Sequence, residues 1–397
     1  MSGQFYDVII VGAGPAGSYA AYELSSRGHD VAVFEQKSAP GLDVCCTGII
    51  SAECFDSFGI SADVILTRTN SAKFFSPSGK YLRLQTEKVQ AYIVDRLSFD
   101  RALASKAQSR GAHYYCSSQV VDITLEKDSI EAETLCSGTR EIFTARTVIL
   151  ANGFTPKLTQ RLGMGKIRRF LIGAQAKVET KALDGPEVYF GREVAPGSFA
   201  WLVPISANTA YAGLLSTSQA KLQLQKFLLT PFCQGRIVNQ EVEIRQRAIP
   251  LGILSRSYGN RVLVIGDAAG QVKPTTGGGI YFGHLGARIA VNVLDEALSS
   301  DKLTAERLGL YQKQWKAKMG KELAYGYWAR WAYARLGDHQ IERMFNIIGS
   351  GKLAGRLLNS SDFSFDWHSR LILASLRYSS AYPLVRIKHL LSPEVSS

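Results

Sequence analysis

Three glycines constrain the fold more than any other feature. Gly12, Gly14 and Gly17 stand at GxGxxG spacing in "VIIVGAGPAGSYAAYELSSRGHDVAVFEQ". The β-branched run Val8–Val11 precedes them and reads as a strand buried on both faces. A helix is predicted from about Ala16 to Arg27, stopped by Gly28, and "DVAVFE" returns as a second strand ending on Glu35. In such a βαβ unit Gly12 permits the tight turn. Gly14 leaves room for a pyrophosphate, and Gly17 lets the helix lie on the strand. Ala16 is the remaining small residue of the turn. The helix points its positive end at the anion, and Glu35 is placed to accept hydrogen bonds from ribose hydroxyls. The stretch predicts a dinucleotide site.

A second stretch, "RVLVIGDAAGQVKPTTGGGI" from Arg261 to Ile280, indicates which dinucleotide. The strand Val262–Ile265 runs into Gly266 and Asp267, and Asp267 is placed to bind polyol hydroxyls such as a ribityl chain. Pro274 shapes the loop, and Gly277, Gly278 and Gly279 open another helix. That helix end would stabilise the electron-rich edge of a reduced flavin. NAD has no such need, and the chain holds one GxGxxG rather than two, so FAD is the expected cofactor.

Composition narrows the classes. The chain has 397 residues, which calls for more than one packed unit. No uninterrupted apolar stretch is long enough to cross a bilayer. The opening "MSGQFYD" lacks the basic start and apolar core of a secretory signal, so a cytoplasmic location is expected, with peripheral contact at the inner face of the membrane. Six cysteines and six histidines form neither a disulfide framework nor a metal pattern. The net charge of +12 favours anionic partners. No segment resembles a nucleic-acid module, so no nucleic-acid partner is expected.

These motifs, the GxGxxG with Glu35 and "GDAAG…P…GGGI", make the chain resemble the FAD-dependent p-hydroxybenzoate hydroxylase superfamily. Two further stretches make it similar to the geranylgeranyl reductase group within it. "GLDVCCTGIIS" resembles that group's cysteine-glycine segment: Cys46 stands at its cysteine, and Thr47 stands where a glycine is usual. "GSFAWLVP" resembles its aromatic-x-Trp-x-x-Pro motif through Phe199, Trp201 and Pro204. The resemblance implies that Cys45, Cys46, Thr47, Gly48, Phe199, Trp201 and Pro204 surround a substrate cavity beside the flavin. It also implies that Arg96, in "VDRLSFDRAL", approaches the FAD phosphates or ribityl chain. Val120 is expected near the adenine. Asn152-Gly153 stands where the superfamily carries Asp-Gly, which removes a carboxylate there. Phe199 and Trp201 also alternate as in a half-buried strand, so core packing is the competing reading.

The implied fold is α/β, a Rossmann-like FAD-binding domain of the glutathione-reductase type with an antiparallel-sheet substrate domain and a C-terminal helical segment. Residues 1–66, 94–160 and 250–315 are expected to form the discontinuous FAD-binding domain. Residues 67–93 and 161–249 are expected to form the substrate domain, with a hairpin around Pro77-Ser78-Gly79, and 316–397 the helical segment. In that segment Leu323, Tyr327 and Trp331 share a helix face that Tyr325 and Trp328 widen. The face either packs on the domain's back, walls a hydrophobic channel or touches a membrane. Residues 376–391, "LRYSSAYPLVRIKHLL", have the composition of an interfacial helix.

The chain holds no acid, base and nucleophile set able to work alone, so the hard chemistry falls to the flavin. The resemblance implies hydride transfer from reduced flavin N5 to a C=C bond of a prenyl chain on a lipid, diphosphate or quinone. Cys46 would position the alkene or donate the proton. Two alternatives remain open: a flavin monooxygenase or halogenase acting on an aromatic substrate, and a flavoprotein electron carrier. The electron donor is NADPH or ferredoxin, and the basic surface suits an acidic donor protein.

Overall fold

The computed structural model describes residues 5–181, 183–239, 241–349, 364–370 and 372–373. The 376–391 stretch lies outside them. The described helices are α1 (Pro15–Ser26), α2 (Ala52–Phe58), α3 (Arg96–Gln108), α4 (Lys157–Arg161), α5 (Ala220–Leu228), α6 (Ile280–Ser299), α7 (Ala305–Trp315), α8 (Lys321–Tyr333) and α9 (Asp338–Gly349).

A parallel core runs Val262–Val264, Thr139–Leu150, Phe5–Val11, Val31–Phe34 and His113–Tyr115 in spatial order. Val8, Ile9 and Ile10 are wholly buried because both faces of the sheet are covered. One face carries α1, α3 and α6, whose apolar sides join Val8, Val31 and Leu263 in one core. The other is covered by the hairpin strands Ser118–Leu125 and Ile130–Cys136, with Met164 and Leu254 beneath.

The second sheet has seven strands: Arg245–Pro250, Phe170–Glu179, Thr209–Ser216, Phe199–Pro204, Glu187–Phe190, Ser71–Phe75 and Tyr81–Gln85. Its pairings are antiparallel with one exception. Glu187–Phe190 runs parallel to Ser71–Phe75. Those two strands come from excursions far apart in sequence, so no hairpin dictates their direction. The Pro77-Ser78-Gly79 turn closes the last hairpin, with Ser76 N–H donating to Lys80 O at 2.8 Å. Helix α5 buries Leu224 and Phe227 on the sheet's outer face. A small sheet of Ile49–Ser51, Ala91–Val94 and Ile65–Thr69 links the two large ones.

The turn after Val262–Val264 is held by a buried polar relay. Gly266 N–H donates to Gln271 Oε1 (2.8 Å), Gln271 Nε2 to Tyr311 Oη (2.8 Å), and Tyr311 Oη to Val264 O (2.8 Å). A Cβ at Gly286 would fall 2.0 Å from Gln271 Oε1, so α6 needs a glycine there to admit the amide.

Helix α8 does not bury the aromatic stripe read from the sequence. Leu323 is buried, but Tyr325 and Trp328 are 39% and 51% exposed, and Tyr327 and Trp331 are half-buried. The inward face is Glu322, Leu323, Gly326 and Arg330. Two charged residues turn inward because backbone groups receive them. Glu322 accepts the N–H groups of His368 and Ser369, and Arg330 donates to Gly197 O at 3.3 Å.

His284 of α6 lies between the rings of Tyr19 and Phe58, with centroids 4.2 and 4.3 Å away. Burial, reinforced by the charge of Arg288, lowers its pKa to about 4. The native state therefore holds a neutral ring that the unfolded chain protonates near pH 6.5. The resulting stability is complete above pH 6.5 and is lost as pH falls towards 4, by up to about 3 kcal/mol. Urea midpoints measured from pH 7 to 4.5 should fall along this window, and His284→Gln should flatten that part of the profile.

Candidate active site

The two glycine turns meet. A Cβ at Gly266 would lie 3.3 Å from the Ala16 methyl carbon, and one at Gly283 3.5 Å from the same atom. Around this contact opens a cavity of about 1100 Å³. Gly12, Gly14, Ala16, Glu35, Arg96, Val120, Gly266, Asp267, Gly277, Gly278 and Gly279 line it, as do Cys45, Cys46, Thr47, Gly48, Phe199 and Trp201. Gly17, Pro274 and Pro204 do not.

Each glycine of the first turn has its own reason. Gly12 sits at φ +104°, a region closed to side chains that carry Cβ. Gly14 has nothing within 4 Å of where a Cβ would stand, and that space is the cavity. Gly17 faces inward instead. Its Cβ would meet Gly12 O at 2.0 Å, so it sets the helix-to-strand distance rather than touching a ligand. Helices α1 and α6 both begin without a side-chain cap, so their first N–H groups stay available at the cavity wall. Glu35 Oε2 accepts Ala13 N–H (2.9 Å) and Oε1 accepts Lys37 N–H (3.0 Å). The acid thus braces the turn while its remaining lone pairs face the cavity.

Several residues have commitments that the sequence did not show. Asp267 Oδ2 accepts from Arg247 Nη2 at 2.9 Å, so the carboxylate is oriented by a strand of the second sheet. Pro274 is buried behind the turn against α8, where a Cβ on Gly326 would lie 3.2 Å from its Cδ. It shapes the wall from outside. Pro204 ends its strand beyond the cavity, and its carbonyl accepts from Thr67 Oγ1 at 3.0 Å. Arg96 reaches the cavity, yet three of its hydrogen bonds go to the Asp100 carboxylate one helical turn away. Burial opposes the Arg96 charge, but Asp100 and then Cys46 hold its pKa above the usual arginine range. Burial also pushes the Asp100 carboxyl up while Arg96 pulls it back; with three hydrogen bonds made, the pair is ionised.

The Cys45–Gly48 segment crosses between the sheets. Cys45 Sγ donates to Arg245 O (3.5 Å), and Thr47 Oγ1 donates to Gln175 Oε1 (2.6 Å). Burial, then the neighbouring Cys46, pushes the Cys45 thiol up to about 11. Cys46 Sγ accepts Gly48 N–H at 3.4 Å. Gly48 sits at φ +74°, and its Cβ would meet Val94 O at 2.4 Å.

Trp201 lies flat across the next strand, because a Cβ at Gly213 would fall 2.4 Å from its ring. A glycine inside the strand pattern "TAYAGLL" was the available signal for such an approach. Arg247, Gln175, Phe365 and His368 also line the cavity with no motif pointing to them, and Lys273 lines it from within the quoted "GDAAGQVKPTTGGGI" stretch.

The residues fit FAD. One end of the cavity offers uncapped helix N-termini and the Glu35 carboxylate. Along the wall, Asn152 Oδ1 and Trp201 Nε1 are buried without a hydrogen-bond partner among the described residues, as groups awaiting a ligand would be. Among the described residues no group of His, Cys, Asp and Glu could hold a metal ion.

Comparison with known proteins agrees with this geometry. A family model described as "FAD binding domain" matches residues 5–302. The chain therefore belongs to the FAD binding domain family, and it is an FAD-dependent oxidoreductase. It is 29% identical to the digeranylgeranylglycerophospholipid reductase of Methanocaldococcus jannaschii, over 87% of this chain and 90% of that one. It is 31% identical to digeranylgeranylglycerophospholipid reductase 1 of Methanothermobacter thermautotrophicus, over 80% and 84%. Within the larger family, the chain belongs to the group that carries this reductase name. A geranylgeranyl bacteriochlorophyll reductase-like protein from Thermoplasma acidophilum shares the fold with a TM-score of 0.84 and 23% identity, over 98% of both chains. A flavin-dependent brominase shares the fold at a TM-score of 0.66 and 16% identity, over 95% of this chain and 100% of that one.

Glu35→Gln turns one of two backbone N–H acceptors into an amide and removes the charge. It should weaken FAD binding about tenfold, a loss of about 1.4 kcal/mol, with an unchanged far-ultraviolet circular dichroism spectrum. Fluorescence titration of the apoprotein with FAD measures this.

Proposed function

We propose that this protein saturates C=C bonds in the prenyl chains of a polar lipid of the digeranylgeranylglycerophospholipid kind. The observation that carries the reading is one continuous cavity with two chemistries. Its first end is made of glycine turns, helix N-termini and Glu35. Its far end, under the second sheet, is lined by Phe74, Leu84, Val188, Phe199, Trp201 and Val203. The names of the most similar curated relatives support the same substrate class.

Bound FAD supplies the hydride when reduced. The chain's own residues do the rest. The apolar end excludes water and holds the isoprenoid by contact area alone, since an isolated alkene offers nothing to hydrogen-bond. Gly213 seats Trp201 so that the indole forms a flat wall. Thr47 and Gln175 bond to each other at the junction of the two ends, which fixes the crossing segment. That segment carries Cys46, which we assign as the group presenting a proton at Sγ to the carbon that does not take hydride. Its neighbour Cys45 is held protonated by burial and is a supporting residue.

The electrons come from NADPH or from an acidic carrier of the ferredoxin type, and the net charge of +12 supports the latter. No helix among the described residues is long and apolar enough to cross a membrane. The exposed Tyr325 and Trp328 on α8 support peripheral contact with a bilayer, where amphipathic rings settle at the headgroup level.

Pre-reduced protein under anaerobic conditions should add two hydrogen atoms per double bond to a prenyl lipid, read by mass spectrometry. An unchanged mass across prenyl lipids, diphosphates and quinones overturns the proposal. Oxygen-dependent hydroxylation or halogenation of an aromatic would replace it with the alternative reading. Cys46→Ala should slow turnover about 100-fold, with KM little changed, as expected for loss of a proton donor.

A further inference from the structure

The turn that leads into α6 carries a buried charge with no part in binding or reduction as described. Lys273 is 7% exposed and lines the cavity. Its N–H donates to Gly278 O (2.9 Å) and its carbonyl accepts Gly277 N–H (2.8 Å), so its backbone closes the three-glycine turn. Its side chain lies along that turn: a Cβ on Gly278 would fall 2.9 Å from Cε and 3.5 Å from Nζ. The ammonium donates to Asp366 Oδ1 at 2.7 Å and to Phe365 O at 3.4 Å.

Asp366 is buried, and its second carboxylate oxygen has no hydrogen-bond partner among the described residues. A buried ion pair with one oxygen left bare contributes little to stability, because desolvation offsets most of the attraction. Among the described residues, nearby titratable groups do not cancel it. His368 Nε2 faces the Phe365 carbonyl, which can only accept, so Nε2 carries the hydrogen and Nδ1 accepts from Thr275 Oγ1 at 2.7 Å. The ring is neutral, and burial followed by the Lys273 charge lowers its pKa. Glu322 is occupied by the N–H groups of His368 and Ser369. Cys54 is kept protonated by burial.

We propose that Lys273 and Asp366 set the reduction potential of FAD held in this cavity, the lysine favouring the reduced cofactor and the aspartate opposing it. This rests on the reading of the cavity as the FAD site. Reduction adds negative charge to the cofactor. A cation in a low-dielectric wall favours that form over the oxidised one, and an anion does the reverse. The pair is therefore a balanced setting, adjustable in either direction by one substitution. A purely structural pair behaves otherwise: losing either partner loosens the same wall, with effects of the same sign.

The test compares FAD-loaded parent, Lys273→Met, Asp366→Asn and the double variant by anaerobic equilibration with reference dyes. Each substitution keeps side-chain shape. Lys273→Met should lower the ratio of reduced to oxidised FAD affinity about tenfold, which is about 30 mV for a two-electron couple. Asp366→Asn should shift the potential upward, and the double variant should fall between the two. Potentials that stay put in both single variants, or move the same way, overturn the proposal. If Lys273→Met does not fold, Asp366→Asn above the parent and the double variant below Asp366→Asn still decide it. A parent that retains no FAD overturns the reading of the cavity itself. A parent that retains FAD beside unmoved variants overturns only the tuning role.

Discussion

The architecture depends on a backbone-to-backbone approach that only small residues allow. Gly17 against Gly12 brings α1 onto the first strand, and Ala16 against Gly266 and Gly283 brings the start of α6 onto α1. Two turns about 250 residues apart in the chain, by the order of their numbers, then share one wall. A single methyl group at Gly17 would collide with a carbonyl oxygen at 2.0 Å. No side-chain rotation relieves such a clash, so the helices would separate and the cavity would lose its floor.

Much of this was legible in the sequence, for a definite reason. Glycine spacing, β-branched runs and the returning acid Glu35 are local signals, and the parallel sheet and α1 follow from them directly. The hairpin at Pro77-Ser78-Gly79 was equally readable. The commitments of charged side chains were not. That Arg96 turns to Asp100, and that Asp267 receives Arg247 from another sheet, depends on pairing across distances of sequence that no periodicity encodes. The same holds for α8, whose aromatic stripe read as a face that packs on the domain's back, walls a channel or touches a membrane. Glu322 and Arg330 displaced it because backbone groups of Gly197, His368 and Ser369 gave them partners inside. The parallel step in the second sheet was unreadable for a related reason: its two strands belong to separate excursions of the chain.

The cavity works by dividing labour between its walls. The parallel core supplies rigid turns and helix ends, which suit an anionic cofactor. The second sheet supplies broad apolar area, which suits a substrate with few polar handles. The Cys45–Gly48 segment bridges the second sheet and the small linking sheet, through Arg245 and Gln175 on one side and Val94 on the other. Movement of the second sheet is therefore felt at the cysteine pair.

The closing wall comes from the far end of the described chain. Phe365, His368 and Ile372 line the same cavity as Gly12 and Gly14. Bringing together segments so far apart in sequence costs loop-closure entropy, which the packing of this wall must offset. The chamber is thus complete only with the far end of the described chain in place, and whatever it holds is enclosed by the first and the last described parts of the sequence alike.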